Sequence, residues 1–410
     1  MSPAPGYRTV EEQVARVLAA VRPRDPETVP LADAAGRVLA ADARARNAVP
    51  VFDNSAMDGF AVRYADVATA TPGAPVTLRV AGDLPAGSPA DPPLDPGTAI
   101  RIMTGAAIPT QADAVVPFED TAGGLADSMR TAVVLRAPAS PGTNVRRAGA
   151  DAAVGAVVQE AGTLLGARQL SALASVGIAE VVVARRPRVV VAATGSELVP
   201  PGTPLERGQI PESNSILLAA LATEAGAEVV LRTVVGDEGD GPAEVVALAA
   251  ARGADVVIFS GGVSAGAYEP VRQSLAGAME FGPVAMQPGK PQGFGATAEG
   301  MLLFGLPGNP VSSAVSFEVF VRPALLRLLG RPEQRILRRL PAGAAWRTPP
   351  GRRQYLPAVV DADGRVVPAA RGGSGSHLSV GLGGATAYAI VPADVDEVRE
   401  GDVLDVLELG

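Results

Sequence analysis

Four short loops carry the side chains that could act on a ligand. Each follows an apolar run: Thr194-Gly195-Ser196-Glu197 after VVVAA, Gly236-Asp237-Glu238 after VVLRTVV, Ser260-Gly261-Gly262-Val263-Ser264 after DVVIF, and Pro307-Gly308-Asn309-Pro310 after LLFGL. In an open parallel sheet, ligands bind outside the carboxyl ends of the strands, so these loops share one edge. Taken singly, each reads as a tight turn or a helix cap; four at one edge read as a binding site. Ser260-Gly261-Gly262 lets backbone amides approach a phosphate with no side chain in the way. Asn309 with Pro310 forms an N-cap and first-turn pair for the following helix, whose free amides would face an oxyanion.

A single lysine stands among 35 basic residues, at position 290, inside Pro288-Gly289-Lys290-Pro291. Arginine is a planar fork and lysine a compact ammonium, so a site that needs a point charge resists the exchange of one for the other. The two prolines fix the backbone and aim that ammonium. Gly289-Lys290 is followed by Pro291 and not by Ser or Thr, so this is no Walker loop, and no G-x-G-x-x-G follows a strand. Two acidic loops lie further upstream, Asp53-Asn54-Ser55-Ala56-Met57-Asp58-Gly59 and Arg146-Arg147-Ala148-Gly149-Ala150-Asp151. Together with Glu197 and Asp237 they supply the hard oxygen ligands that Mg²⁺ prefers alongside substrate phosphates.

The rest of the composition removes competing chemistries. There is no Cys and one His, His377, so disulfides, thiolate nucleophiles, Cys-ligated zinc and zinc sites built on several His are excluded. A Ser-His-Asp hydrolase would have to run through His377, and there is no G-x-S-x-G elbow. A net charge of −8 without a long basic block argues against a nucleic-acid platform. No apolar run approaches the ~20 residues that cross a bilayer, and the start MSPAPGYRTVEEQ lacks the layout of a signal peptide, which gives a cytoplasmic expectation and no membrane partner.

The elements that must position these loops follow from length and periodicity. At 410 residues the chain exceeds what one core organises, so several domains are expected. Thr9 and Glu12 stand in capping-box spacing before Val10, Val14, Val17, Leu18 and Val21, which predicts an amphipathic helix. Short β-type runs separated by Pro and Gly fill 46–142 and read as an all-β module inserted into a small helical N-terminal domain, 1–45 and 143–180, whose helix around ARQLSALASV ends at Gly177. Residues 181–330 alternate strand and helix and predict a doubly wound parallel-sheet domain. Residues 331–410 hold a hairpin around Asp363-Gly364 and further strands, which predicts a small β-barrel.

At this point the residues match a family. The runs FDNSAMDGFAVR (52–63), RIMTGAAIP (101–109), ATGSELVPPG (193–202), FSGGVSAGAYE (259–269), PGKP (288–291) and LPGNPVSS (306–313), in this order, closely resemble the MoeA-type molybdopterin molybdenumtransferases, which include the gephyrin E domain. The resemblance implies an elongated four-domain subunit forming a homodimer with an active site shared between subunits. The reaction it implies inserts molybdate into the dithiolene of adenylylated molybdopterin, with Mg²⁺ assisting and AMP released, to give molybdenum cofactor. It allows a molybdopterin adenylyltransferase and molybdoenzyme apoproteins as further partners. By position, the resemblance ties Asp58, Thr104, Asp151, Glu197, Asp237, Glu269 and Lys290 to activity, with Asp58, Glu197 and Asp237 as the Mg²⁺ carboxylates. It assigns substrate binding to Thr194, Gly195, Ser260, Gly261, Gly262, Ser264, Pro307, Gly308, Asn309 and Pro310. Ala150 and Ser196 occupy positions that are often acidic in the family, Glu269 falls where several members have Asp, and Pro283 and Gln287 stand where some members place Lys. Two other readings use the same residues: a non-catalytic scaffold like the gephyrin relative, and an enzyme that inserts tungstate.

Overall fold

The structure is a computed structural model and describes residues 6–264, 266, 269–370 and 379–409; His377, with Ala265, Ala267 and Tyr268 of the FSGGVSAGAYE run, lies outside the described residues. Its centre is a six-stranded sheet in the order Glu228–Val235, Arg188–Thr194, Val256–Ser260, Leu302–Leu306, Pro291–Ala296, Met279–Pro283. The first four strands are parallel and the last two antiparallel. The sheet is therefore mixed, where the alternation of strand and helix predicts a parallel one. The cause is local: the PGKP turn and the hairpin after it are too short to carry a helical crossover, so the chain can only fold back.

Successive side chains point to opposite faces, and both faces are covered. Val189, Val191, Val256, Ile258, Leu302 and Phe304 pack on one side against Leu218 and Ala222 of the Asn214–Glu224 helix and against Phe317, Phe320 and Leu325 of the long helical stretch 310–328. Val190, Ala192, Val257, Phe259 and Leu303 pack on the other side against Val245 and Ala249 of Gly241–Ala251 and Val271 and Leu275 of Pro270–Leu275. Burial on both faces is why these strands read as unbroken apolar runs.

The capping box at the start of the chain forms as the spacing predicts: Thr9 Oγ1 accepts from the Glu12 amide and Glu12 reaches back to the Thr9 amide. The helix that it starts, Val10–Ala20, corrects the reading of a small helical N-terminal domain. Its buried Val10 and Val17 belong to the core of the central sheet and not to residues 27–45. What packs around Leu39, Leu165, Leu173 and Val183 is instead a pair of two-stranded ribbons, Glu27–Pro30 with Glu180–Val183 and Ala43–Arg44 with Val157–Gln159, beside the one helix Ala167–Ser175. That helix ends as expected: Gly177 has φ +80° and Ile178 N–H returns to Leu173 O. Between the ribbons, a five-stranded mixed sheet of Gly59–Val62, Val76–Leu84, Thr98–Ile102, Ala114–Pro117 and Thr131–Val134 closes its own core around Phe60, Leu78 and Val116.

At the C-terminal end, Arg338–Pro341, Arg353–Val360, Val366–Pro368, Ala387–Val391 and Val403–Glu408 form one sheet that curls until Ala342 bridges Val366. The turn at Asp361–Gly364 joins Arg353–Val360 to Val366–Pro368. Met286–Gln287, from the strand-rich segment before the PGKP turn, adds to this sheet in parallel beside Arg353–Gln354. The C-terminal unit is thereby stitched to the turn that carries Lys290.

Asp255 ties three parts of the chain together. It is 3% exposed and accepts from Arg185 Nη2 at 2.8 and 3.0 Å and from the Arg188 amide at 2.9 Å, with Arg24 Nε at 2.8 Å. Removing a buried carboxylate with these partners leaves desolvated donors unmatched. Asp255→Ala is expected to lower stability by ~2–4 kcal/mol, read as a shifted urea midpoint at unchanged slope; an unshifted midpoint would show the cluster to be superficial.

Candidate functional site

All four strand-end loops open into one cleft of about 850 Å³. Of the predicted residues, Thr194, Gly195, Glu197, Asp237, Ser260, Gly261, Gly262, Ser264, Glu269, Lys290, Pro307, Gly308, Asn309 and Pro310 line it. Asp58, Thr104 and Asp151 do not.

Close backbone approach builds the floor. Gly261 has φ +95°, and a Cβ there would lie 2.7 Å from Thr194 Oγ1 and 2.8 Å from Thr194 O. Gly195 has φ +150°, and a Cβ there would meet the Glu197 carboxylate at 2.5 Å. Behind the glycines sits a buried hydroxyl hub. Ser260, 1% exposed, receives Asn214 Nδ2 at 2.8 Å and faces Ser313 Oγ at 3.0 Å. Asn214 Nδ2 also donates to Gly308 O at 2.6 Å, and Ser313 Oγ donates to Pro307 O at 2.5 Å. A carbonyl can only accept, so the Gly308 contact fixes the orientation of the Asn214 amide. Asn309 stands at the N-cap position with Pro310 in the first turn, as the sequence predicts, and its side chain makes no capping hydrogen bond to the helix amides.

The acidic side of the cleft is organised by short loops. Asp237 Oδ2 accepts from the Ser196 amide at 3.0 Å while Ser196 Oγ accepts from the Asp237 amide at 3.0 Å. Ser196 therefore locks two loops together. Glu269 accepts from the Ser264 amide at 2.8 Å and the Gly266 amide at 3.2 Å, so its carboxylate closes its own loop. Glu212, buried, accepts from the Ser215 amide and hydroxyl, both at 2.6 Å, at the start of the Asn214–Glu224 helix. The opposite wall is cationic, from Lys290 and Arg352. A ligand lying across this cleft would meet ammonium and guanidinium at one end and carboxylates at the other.

Sequence reasoning missed Glu212, Asn214 and Arg352. The first two had a signal, an acidic residue three positions before a helical serine and an asparagine opening the helix. Arg352 had none, because it reaches the cleft only through the pairing of Arg353–Gln354 with Met286–Gln287.

Asp58 and Thr104 meet in a second place. Asp58 Oδ1 accepts from the Thr104 amide at 2.6 Å, and this bond, then the Thr104 hydroxyl, holds the Asp58 carboxyl below its ordinary range. Nearby, Asp53 accepts from the Ala148 amide at 2.7 Å and from Arg147 Nη1 at 2.6 Å, and it too is held low, by the Ala148 amide first. Asp151 is exposed at the end of the same loop pair, its amide bonded to Val49 O. Around these carboxylates Val51 is 63%, Phe52 48% and Val154 67% exposed. Among the described residues no group of three or more acidic or His side chains stands close enough to hold a metal ion. The expected trio of Asp58, Glu197 and Asp237 is thus divided within one chain, with only the last two sharing the cleft.

The mixed central sheet, its cleft and the flanking β units define a MoeA-like multidomain fold. The structure superposes on that of a molybdopterin biosynthesis MoeA protein from Pyrococcus horikosii with a TM-score of 0.85 and 32% identity, over 98% of this chain and 99% of that one. The family descriptions "MoeA N-terminal region (domain I and II)", "Probable molybdopterin binding domain" and "MoeA C-terminal region (domain IV)" match residues 8–177, 190–327 and 339–409. Molybdopterin molybdenumtransferase 2 of Mycobacterium tuberculosis is 46% identical over 98% of this chain and 100% of its own length. The Bacillus subtilis molybdopterin molybdenumtransferase is 39% identical over 77% and 74%. The chain belongs to the MoeA family of molybdopterin molybdenumtransferases.

Two outcomes test this geometry. Gly261→Ala forces a Cβ into Thr194 at a left-handed φ and is expected to cost ~1–3 kcal/mol, whereas Gly308→Ala, whose Cβ would meet Gly261 Cα at an ordinary 3.5 Å, is expected to be nearly neutral; equal thermal stabilities would refute the close-approach account. The Asp58 carboxyl is expected to titrate below ~3.9 by carbon NMR. A lowered value means that its bond to Thr104 contributes fully above the unfolded value and is lost as pH falls through the folded one. A midpoint at the ordinary value would show the contact to be absent in solution.

Proposed function

We propose that this chain is a transferase of molybdenum cofactor biosynthesis that inserts molybdate into the dithiolene of adenylylated molybdopterin and releases AMP, at a site shared between two copies of the chain. The observation that carries this reading is the cleft itself, where the loops of ATGSELVPPG, FSGGVSAGAYE, PGKP and LPGNPVSS converge on one sheet edge with carboxylates on one wall and Lys290 and Arg352 on the other. In this reading the Gly262 and Val263 amides, Lys290 and Arg352 hold the substrate's anionic groups, the Gly261 and Ser264 amides being taken by Leu306 O and Glu269. The glycines keep that wall free of side chains, so phosphate oxygens reach the amides directly. The hub of Asn214, Ser260 and Ser313 keeps the loops in one arrangement while the substrate is held against molybdate.

The donor set suits Mg²⁺. Two carboxylates in one cleft match an ion that takes one or two protein carboxylates and completes its shell with water and substrate phosphates. Glu197 and Asp237 would hold it, joined by Asp58 from a second copy. Bound there, the ion supplies neutralisation of phosphate charge and polarisation of the adenylyl phosphorus.

A shared site is favoured by the divided trio and by the surroundings of its outlying member. Asp58, Thr104 and Asp151 sit on a face where Val51, Phe52 and Met57 are exposed, the composition of a surface that another protein covers. A second copy would place these carboxylates across the cleft of the first. The catalytic reading is preferred to a scaffold because the polar loops converge on one cleft and because relatives matched over nearly their full length are transferases by name.

Mixing tests both activity and sharing. Given adenylylated molybdopterin, Mg²⁺ and molybdate, the protein is expected to release AMP and to activate a cofactor-free molybdoenzyme, and competition with tungstate in the same assay measures metal preference. Asp58→Asn and Glu197→Gln chains are each expected to be inactive. Re-equilibrated together they are expected to regain activity, because mixed dimers contain one site with both carboxylates; no recovery in proven mixed dimers would place both residues in one chain's site. Full cofactor production by Asp58→Asn alone would favour the scaffold.

A further inference from the structure

Lys290 has a flexible side chain on a rigid support. Its carbonyl receives the Val284 amide at 2.8 Å, and the carbonyl of Gly289 beside it receives Gln292 Nε2 at 2.7 Å. The backbone is therefore pinned while four methylenes remain free to rotate. Among the described residues no carboxylate forms an ion pair with Lys290; its ammonium instead lies 5.3 Å from the centre of the Tyr7 ring. Tyr7 is brought there by the first described segment of the chain. The Arg8 amide donates to Pro283 O at 3.1 Å, the Ala285 amide donates to Arg8 O at 2.8 Å, and Arg8 pairs with Glu280. Thr9 then starts the Val10–Ala20 helix.

We propose that Tyr7 is a positioning residue for Lys290, holding the ammonium at the cleft wall through its ring so that it is already in place when the substrate's anionic group arrives. The proposal rests on the reading of Lys290 as the residue that holds that group. A neutral ring serves this purpose where a carboxylate would not. An aromatic face attracts the cation and limits its rotamers without cancelling its charge, whereas a paired Asp or Glu would neutralise it and repel an anion. The ring covers one side of the ammonium and leaves N–H donors for the ligand.

Because Lys290 is the sole lysine, a full-length protein grown on ¹³C-lysine gives one side-chain spin system. Its ε-methylene protons are expected to be shifted upfield by the ring in the wild type and in Tyr7→Phe, and to return to the position of a free lysine in Tyr7→Leu. Rates of AMP release at saturating molybdate are expected to show KM for adenylylated molybdopterin raised about two- to fivefold in Tyr7→Leu, with kcat unchanged and Tyr7→Phe like the wild type. Lys290→Met is expected to raise KM much further, and adding Tyr7→Leu to it is expected to change nothing more. Identical ε shifts in wild type and Tyr7→Leu, a lower KM in Tyr7→Leu, or an effect of Tyr7→Leu that persists on Lys290→Met would each overturn the proposal. A wild-type KM in Lys290→Met, when the wild-type protein shows the ring shift, would instead bring down the reading of Lys290 on which the proposal rests.

Discussion

The cleft depends on a set of hydroxyl and amide contacts that lies behind it. Ser260 ends a central strand with its side chain buried, and through it the chain joins the start of one helix, Asn214, to the turn that opens another, Pro307 and Gly308. Each of these groups is short and polar, and of the Asn214 amide only Nδ2 is engaged, Oδ1 being buried without a hydrogen-bond partner. In a low-dielectric surrounding the bonds that are made hold the loops in one arrangement. The glycine-lined floor keeps its shape because the loops are anchored from beneath and not by the ligand. The open side is then free to carry charge, which Glu197, Asp237, Lys290 and Arg352 do from different directions.

Much of the site was legible because its parts are local. Glycines at positive φ, a proline in a first helical turn and an apolar run before each loop are properties of a few adjacent residues, and they place the four loops at one sheet edge without knowledge of anything distant. The same is true of the capping box at Thr9 and Glu12 and of the helix end at Gly177. What escaped was non-local. The sheet turns antiparallel after the PGKP turn, the Val10–Ala20 helix packs on residues some three hundred positions later, and Arg352 arrives through a two-residue strand pairing. No periodicity encodes these, since each depends on which surface the rest of the chain leaves open. The N-cap at Asn309 with Pro310 behind it was legible for the same local reason as the capping box.

The separation of Asp58 from Glu197 and Asp237 gives the molecule two kinds of polar surface. In the cleft Asp237 and Glu269 are tied into loops, whereas Asp53, Asp58 and Asp151 stand outside it beside the exposed Val51, Phe52 and Val154. Both halves are held by the same means. In the cleft Asp237 is fixed by the Ser196 amide, and outside it Asp53 and Asp58 are fixed by the amides of Ala148 and Thr104, each from a sequence-distant turn or loop. The Ala148 and Thr104 amides hold the Asp53 and Asp58 carboxyls below their ordinary range, so the outer face presents negative charge to whatever covers it.

The path of the N-terminal helix has a consequence for biogenesis. Val10 and Val17 are synthesised some three hundred positions before Phe317, Phe320 and Leu325, which help to shield them. Until those residues are made, this part of the apolar stripe lacks its native cover. Contacts spanning so much chain close slowly, and the β unit between them can complete its own core in the meantime. The nascent polypeptide therefore carries an incompletely covered apolar element while the intervening chain is made, and this is where a holding chaperone would be most useful.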